Sequence, residues 1–413
     1  MTTNTILTPS VIAKEALMLL DNNLVLGKLV NRAYEDEINK PVNGYKKGGT
    51  VQIRKPAKYT FRSGATAAPQ NSTEQSLTLN VNTQGGVDLQ FSSADMTLKI
   101  SEFSERFLKP AMITIANQVD RDIASLYKSV WNWVGTPGST VANFAGFGRA
   151  PQRLTEMAVP EDRVGVLSPA DKWGLLGGLT GAFVQDIARP AIEKAKLPMV
   201  GGVDLYETQN VKTFATGVRG GVPLVNGANQ NTTYAASGST NTQTLATKGW
   251  TASVSGILNA GEVFTLAGVF AVNPVSKDPL PYLQQFVVVS ATNNSDSSGN
   301  CTLTVSPAII TSGAYQTVTA SPADGAAITV LGTASSSYPQ NLVFHRDAFA
   351  LVMVPMEIPA AIPPALAGRE SYKGVSVRLL PYYDGTNDVD NWRLDVLYTV
   401  QAIYPDLACR LSG

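Results

Sequence analysis

The chain is 413 residues long, 44% apolar and 15% charged, with 32 Lys and Arg against 32 Asp and Glu. That length and apolar content bury one large core or several smaller ones and exclude a disordered chain. The even charge balance excludes a protein whose main work is gripping nucleic acid, and zero net charge at low charge density favours self-association.

Thr8 and Pro9 open the first predicted helix, because a threonine cap and a first-turn proline suit its unpaired amides. Ile12, Ala16, Leu19 and Leu20 share one face, with Lys14, Glu15 and Asp21 elsewhere. Residues 1–40 are read as a helical arm. No basic n-region precedes it, and no stretch reaches the roughly 18 apolar residues of a membrane span. Neither a signal peptide nor a membrane partner is expected, and the cytoplasm is the expected place of synthesis.

Residues 41–100 turn extended. Val51-Gln52-Ile53-Arg54 and Leu77-Thr78-Leu79-Asn80-Val81 alternate with period two around a polar tip at 63–71. A two-stranded arm of this kind cannot form a core at its tip. Arg54, Lys55, Lys58 and Arg62 decorate it, either as a solvated face or as a surface docked on a neighbour.

The longest predicted helix occupies about residues 101–133, within a segment taken as 101–135. Ser101 or Ser104 caps it, and Glu102 and Glu105 suit its positive end. Phe103, Phe107, Ala111, Ile115, Val119, Ile123, Leu126 and Val130 form its stripe. At that length it would span ~45 Å. Pro110 either kinks it or marks its true start, and Gly135-Thr136-Pro137-Gly138 ends it.

Residues 136–216 read as mixed α/β, with a strand at 164–167 and a helix capped by Ser168-Pro169-Ala170-Asp171 and running through Leu176. Gly174-Leu175-Leu176-Gly177-Gly178-Leu179-Thr180-Gly181 resembles a phosphate loop only superficially. It lacks the following Lys-Ser/Thr and a leading strand, so it is taken as a surface loop.

Charge counting marks the next boundary. From Thr216 to Gln340 only Arg219, Lys248, Glu262, Lys277, Asp278, Asp296 and Asp324 are charged. Alternating strands at 262–266, 269–272, 285–289, 301–305 and 327–331 make residues 217–340 an all-β module, expected to be a small barrel. The polar residues 293–300 read as a mobile hairpin tip. Residues 341–413 return to strands, with a hairpin of 374–380 and 392–400 around Asp384-Gly385-Thr386-Asn387.

The residues of chemistry are sparse. His345 is the sole histidine and reads as the edge of a strand. Cys301 and Cys409 belong to no C-x-x-C pair. Asp120 and Asp122 read as a solvated helix face, and Trp131, Trp133 and Trp250 as packing aromatics. No catalytic residue, cofactor or metal site is expected.

Three segments carry a resemblance: Gly201-Gly202-Val203-Asp204-Leu205-Tyr206-Glu207-Thr208-Gln209-Asn210, then Asn341-Leu342-Val343-Phe344-His345-Arg346-Asp347-Ala348-Phe349, then Leu397-Tyr398-Thr399-Val400-Gln401-Ala402-Ile403-Tyr404-Pro405-Asp406. In this order of parts, the chain resembles the major capsid proteins of tailed double-stranded-DNA phages, with the Hong Kong 97 type fold. It looks most like the coat proteins of Salmonella short-tailed phages, which carry an insertion domain. One departure is Thr399, where the family has glycine after its tyrosine.

The resemblance implies an α+β capsid fold with N-arm, extended hairpin arm, spine helix, peripheral and axial domains and an inserted β-barrel. It implies hexamers and pentamers closed into an icosahedral shell, built as a procapsid that expands. The arm, with Arg54, Lys55, Lys58 and Arg62, would reach a neighbouring subunit. Residues 136–216 and 341–370 would form the axial domain, and the spine helix with the terminal strands the peripheral one. Glu15 and Asp21 would face a separate scaffolding protein, since no long coiled-coil segment precedes Thr8. Pro110 and the arm would supply the hinge of expansion. A portal protein would be a further partner, and packaged DNA a neighbour only by non-specific proximity. Two other readings stay open: a phage tail or decoration protein, and a carbohydrate-binding or hydrolytic β protein.

Overall fold

The computed structural model describes residues 9–34, 50–67, 69–70, 74–92, 104–180, 199–237, 240–359, 367–372 and 375–413. The Thr8 cap, residues 101–103, the tip residues 68 and 71–73, Gly181 and Gly374 lie outside them.

Helix α1 (Pro9–Asn23) starts at the expected proline and buries Ile12, Ala13, Ala16, Leu17 and Leu20. The short α2 (Leu26–Leu29) follows. Strands β1 (Thr50–Lys55) and β2 (Gln75–Asn80) pair as the two-stranded arm, and β3 (Thr83–Ser92) continues from it. A π-helical turn at Ser104–Leu108 leads into α3 (Lys109–Ala124), and a 3-10 turn at Ser125–Ser129 leads into β4 (Trp133–Val134).

The long helix of the sequence reading is thereby corrected. Its α-helical part is 16 residues, a span of ~24 Å. Pro110 sits at the second position of α3, where the π-helical turn passes into the α-helix. The far end fails because pairing elsewhere competes for the backbone. Trp133 gives its N–H to the side chain of Gln285 and its carbonyl accepts from the same amide, at 2.8 and 2.7 Å.

Next come α4 (Phe144–Glu156), β5 (Arg163–Leu167), α5 (Pro169–Thr180), β6 (Val203–Glu207) and β7 (Thr213–Ala215). Asn143 caps α4 by accepting from the Gly146 N–H at 2.7 Å. The glycine-rich run taken as a loop is the second half of α5. A Cβ on Gly174 would come within 2.9 Å of the Val141 carbonyl oxygen, and one on Gly178 within 2.2 Å of that of Ala142. Four residues apart, these glycines let the helix approach the 141–143 backbone closely.

The remaining strands are β8 (Gly221–Val225), β9 (Gln243–Trp250), β10 (Val263–Val272), β11 (Pro279–Val288), β12 (Cys301–Ser306), β13 (Ile328–Val330), β14 (Ser337–Pro339) and β15 (Asn341–His345). They are followed by β16 (Phe349–Met353), β17 (Gly368–Tyr372), β18 (Val375–Asp384), β19 (Val389–Ala402) and β20 (Ala408–Leu411).

Contacts gather these elements into two compact units, one of residues 1–52, 78–123 and 349–401, the other of 53–77, 124–348 and 402–413. In the first unit β18 and β19 form the expected terminal hairpin, with Leu379 opposite Leu394. Strand β17 extends β18, while β16 and β3 both pair with β19. The β3 pairing runs from Thr83 opposite Tyr398 to Ser92 opposite Val389. Helix α1 packs on β17 and β18.

In the second unit a five-stranded sheet has the order β4-β20-β15-β5-β6. Strands β5 and β6 are parallel, as are β4 and β20, and β15 is antiparallel to both its neighbours. Phe147, Leu154, Leu175, Val343, Cys409 and Leu411 form its core against α4 and α5.

The sparsely charged stretch is a barrel of order β13-β10-β11-β12-β9-β8, closed by a Leu224–Ala327 bridge and a 2.9 Å bond from the Val225 N–H to the Ala326 carbonyl. Leu245, Phe264, Phe286 and Leu303 fill it from alternating strand positions. Just before β8 and just after β13, β7 and β14 pair with each other. The polar loop 293–300 is fastened rather than free. Asn293 is buried and donates to the Leu258 carbonyl at 2.8 Å, and the Trp250 N–H bonds to the Gly299 carbonyl at 3.0 Å. Short polar side chains here satisfy strand-end amides and carbonyls.

Candidate assembly sites

The arm carries its charges in different surroundings. Arg54 faces Glu74 at 3.8 Å with both side chains well exposed, a pair worth little by itself. Lys55 lies 5.2 Å from the centre of the Tyr404 ring, and burial pulls its amine below the usual lysine range, opposed by nearby Asp406 and aided by Lys58. The Lys58 N–H donates to the Tyr315 hydroxyl at 3.0 Å. Arg62 spans the tip, donating to the carbonyls of Gly64 and Thr66. The Gln70 amide accepts from the Thr60 N–H and donates to the Thr60 carbonyl, as a strand neighbour would.

What the sequence reading missed here is aromatic. Tyr59 is 57% exposed and Phe61 95% exposed. A side chain as large as Phe61 left wholly in water invites a partner. The available signal was the spacing: two aromatics among basic residues on an extended segment with no core beneath it.

On α1, Glu15 and Asp21 are both partly buried, and Asp21 faces Lys28 at 3.8 Å. The outward face instead carries Val11 and Met18, 49% and 54% exposed. They are seven residues apart, outside the stripe that predicted the core face. Pro110 contributes its carbonyl to the Thr114 hydroxyl at 2.9 Å.

The remaining charges are structural clamps. Asp120, expected on a solvated face, is 1% exposed and accepts from the Val25 and Gly27 N–H groups at 2.9 and 3.0 Å. Burial raises its pKa and those amides oppose the rise. The first amides of α2 have no helical acceptors, and this carboxylate supplies them. Asp122 accepts from Tyr398 at 2.6 Å and from Gln118 at 2.8 Å. Asp395 is 2% exposed between Arg378 at 2.6 Å and Arg393 at 2.8 Å.

In the barrel, Glu262 is fully buried and accepts from the Arg219 guanidinium and from the N–H groups of Gly217 and Asn259. Several contacts join the barrel to the five-stranded sheet and to α4. The Arg153 guanidinium stacks 3.6 Å from the Tyr282 ring centre, Asn273 donates to the Glu156 carbonyl at 2.9 Å, and Gln285 brackets Trp133 as above.

His345 ends β15 and accepts from the Asp347 N–H at 3.3 Å. Cys301 and Cys409 are both free and buried, and burial pushes the Cys409 thiol up to about 12. Among the described residues no group of three or more His, Cys, Asp or Glu side chains could hold a metal ion, and no helix is long and apolar enough to cross a membrane.

A family model described as "P22 coat protein - gene protein 5" matches residues 1–413. The major capsid protein of Acyrthosiphon pisum secondary endosymbiont phage 1 is 21% identical over 420 residues, covering 98% of this chain and 97% of that one. A Mycobacterium phage Che8 structure aligns at 13% identity and a TM-score of 0.49, over 94% of this chain and 90% of the other. The bacteriophage PhiM1 mature capsid aligns at 13% identity and a TM-score of 0.43, over 89% and 82%.

Proposed function

The chain belongs to the P22 coat protein family and is a phage major capsid protein, and from that premise we propose how it builds its shell. The role is structural, in a shell made of many copies of the one chain. The tail, decoration and carbohydrate-binding readings give way to the family match over the whole length.

The copies assemble as hexamers and pentamers around a separate scaffolding protein and a portal, in the bacterial host cytoplasm, and the resulting procapsid expands. DNA is enclosed by proximity, in keeping with the even charge balance. The arm lies on a neighbouring subunit, with Tyr59 and Phe61 as apolar anchors and Arg54, Lys55, Lys58 and Arg62 around them. Helix α1 meets the scaffold through Glu15 and Asp21 together with Val11 and Met18. Residues 217–340, the barrel, act as an insertion domain that braces the axial part of the subunit. Pro110, at the start of α3, serves as a hinge beside the arm. Each contact is weak alone, and the shell holds because every subunit makes many of them around closed rings.

The observation that carries the arm's role is Phe61, exposed at a tip with no core to receive it. Electron microscopy of the chain co-expressed with a candidate scaffold should show closed, uniform shells. A persistently compact monomer would overturn the assembly route. Hydrogen exchange of the compact and expanded shells should differ near residues 46–110, and equal protection there would remove the hinge.

A further inference from the structure

Where the root of the arm, the barrel and the segment after β19 come together within the second unit, they line a pocket of about 190 Å3 that opens partly to solvent. Much of its wall is apolar, formed by Leu77, Met157, Val272, Ile310 and Ile403. Trp131 lines it as well. That residue is 4% exposed, and its indole N–H is buried with no hydrogen-bond partner among the described residues.

The arm side of the same pocket is cationic. Lys55 and Lys58 both line it, and Asp406 is the one acidic residue that does. Lys277 adds a third ammonium close by. It feels the charge of Lys58, and its Nζ donates at 2.8 Å to the carbonyl of Pro274, itself a lining residue. The chamber therefore combines an apolar body with an excess of positive charge.

We propose that this pocket binds a small aromatic carboxylate, its ring against Trp131 and the aliphatic wall and its carboxylate toward Lys55 and Lys58. Size sets the ring count: an apolar cavity of about 150 Å3 accommodates benzene in another protein, so this one takes a single ring with room for a carboxylate. Charge sets the polar group. A neutral aromatic leaves the ammonium excess uncompensated, whereas an inorganic anion leaves the apolar wall against water. A bound ligand would tie the arm root to the barrel and to the segment after β19.

Benzoate titrated calorimetrically into the full-length chain tests the assignment, with benzyl alcohol and inorganic phosphate as comparison probes. Benzoate should bind at least tenfold more tightly than either. Lys55→Gln and Trp131→Phe should each weaken it. Lys58→Gln, at an exposed residue whose loss spares the fold, should weaken it about tenfold while leaving the melting temperature of the free chain unchanged. Three results would overturn the proposal: no benzoate binding at millimolar concentration, phosphate binding as tight as benzoate, or a folded Lys58→Gln chain with unchanged benzoate affinity.

Discussion

Nη1 of Arg410 donates to the carbonyl oxygen of Gly261 at 2.7 Å, tying the last strand of the chain to the barrel. Arg410 is fully buried, its guanidinium 5.1 Å from the Tyr127 ring centre and 5.5 Å from that of Trp133. Burial pushes its pKa down to about 9. Its Nε and Nη2 have no hydrogen-bond partner among the described residues. Truncating it leaves a cavity and an orphaned carbonyl. Arg410→Ala should lower stability by about 3–4 kcal/mol, and the volume-preserving Arg410→Met by about half as much. Urea unfolding of the full chain measures both, and a loss under about 0.5 kcal/mol for the alanine variant would mean the joint carries no stability.

Glu262 is the acceptor for four donors drawn from two segments. Removing it leaves the Arg219 guanidinium, whose side chain is only 11% exposed, with the Leu331 and Gly332 carbonyls but no counter-charge. Glu262→Ala should cost about 3–5 kcal/mol. Arg219→Ala should also be severe, and the double variant should cost less than the two losses added together. Strict additivity in the same urea experiment would show that the pair does not act as a unit.

Lys277 supplies a pH dependence. Burial, with Lys58 adding repulsion, lowers its pKa from 10.5 to about 8. Between those values the unfolded chain holds more protons than the folded one, so stability rises with pH through that window and is lost as pH falls through about 8. Because Lys277 is only partly buried, the charged form costs about 1 kcal/mol rather than the full shift. Relative to Lys277→Met, the natural chain should gain by that amount between pH 7.5 and 10. Urea midpoints of the two chains across this range test it, and a constant difference would count against it.

Gly178 tests the close approach of α5. An added methyl must displace the Ala142 carbonyl, so Gly178→Ala should destabilise by about 1–3 kcal/mol, although alanine is the better helix former. Gly177, with open space around it, gives the control: Gly177→Ala should be neutral or slightly stabilising. Thermal melts of the two variants should diverge, and matching melts would show that the packing does not matter.

Phe61 separates folding from assembly. It is 95% exposed, so Phe61→Ser should leave subunit stability within about 0.5 kcal/mol. Shell yield, counted in sucrose gradients and micrographs, should nevertheless fall severalfold. Normal shells from this variant would remove the arm tip from the assembly contacts.

The barrel was legible because strands of period two advertise themselves. Val263 to Leu266 and Cys301 to Val305 both fall in barrel strands, and their alternate residues fill the core. The terminal hairpin was legible for the same reason. Periodicity misled where an apolar stripe ran past its helix. Val130 and Trp133 continue the stripe numerically, yet the side chain of Gln285 captures the Trp133 backbone from 152 residues away. Glycines misled in the opposite way, since Gly174 and Gly178 mark a helix pressed on a backbone rather than a break. The clamps at Asp120 and Arg410 carry no local signature, because their partners are backbone groups brought close only by the fold.

The ladder between β7 and β14 has one more implication. Phe214 stands opposite Tyr338, so the chain leaves for the barrel and returns from it at two points one strand spacing apart, roughly 5 Å. To the five-stranded sheet, everything from Thr216 to Ser336 presents the geometry of a tight turn. The barrel can therefore lengthen or shorten its loops without altering the path of the host sheet. Architecturally it is a cassette entered and left at one place, free to diversify in the loops that do not touch α4 or the host sheet.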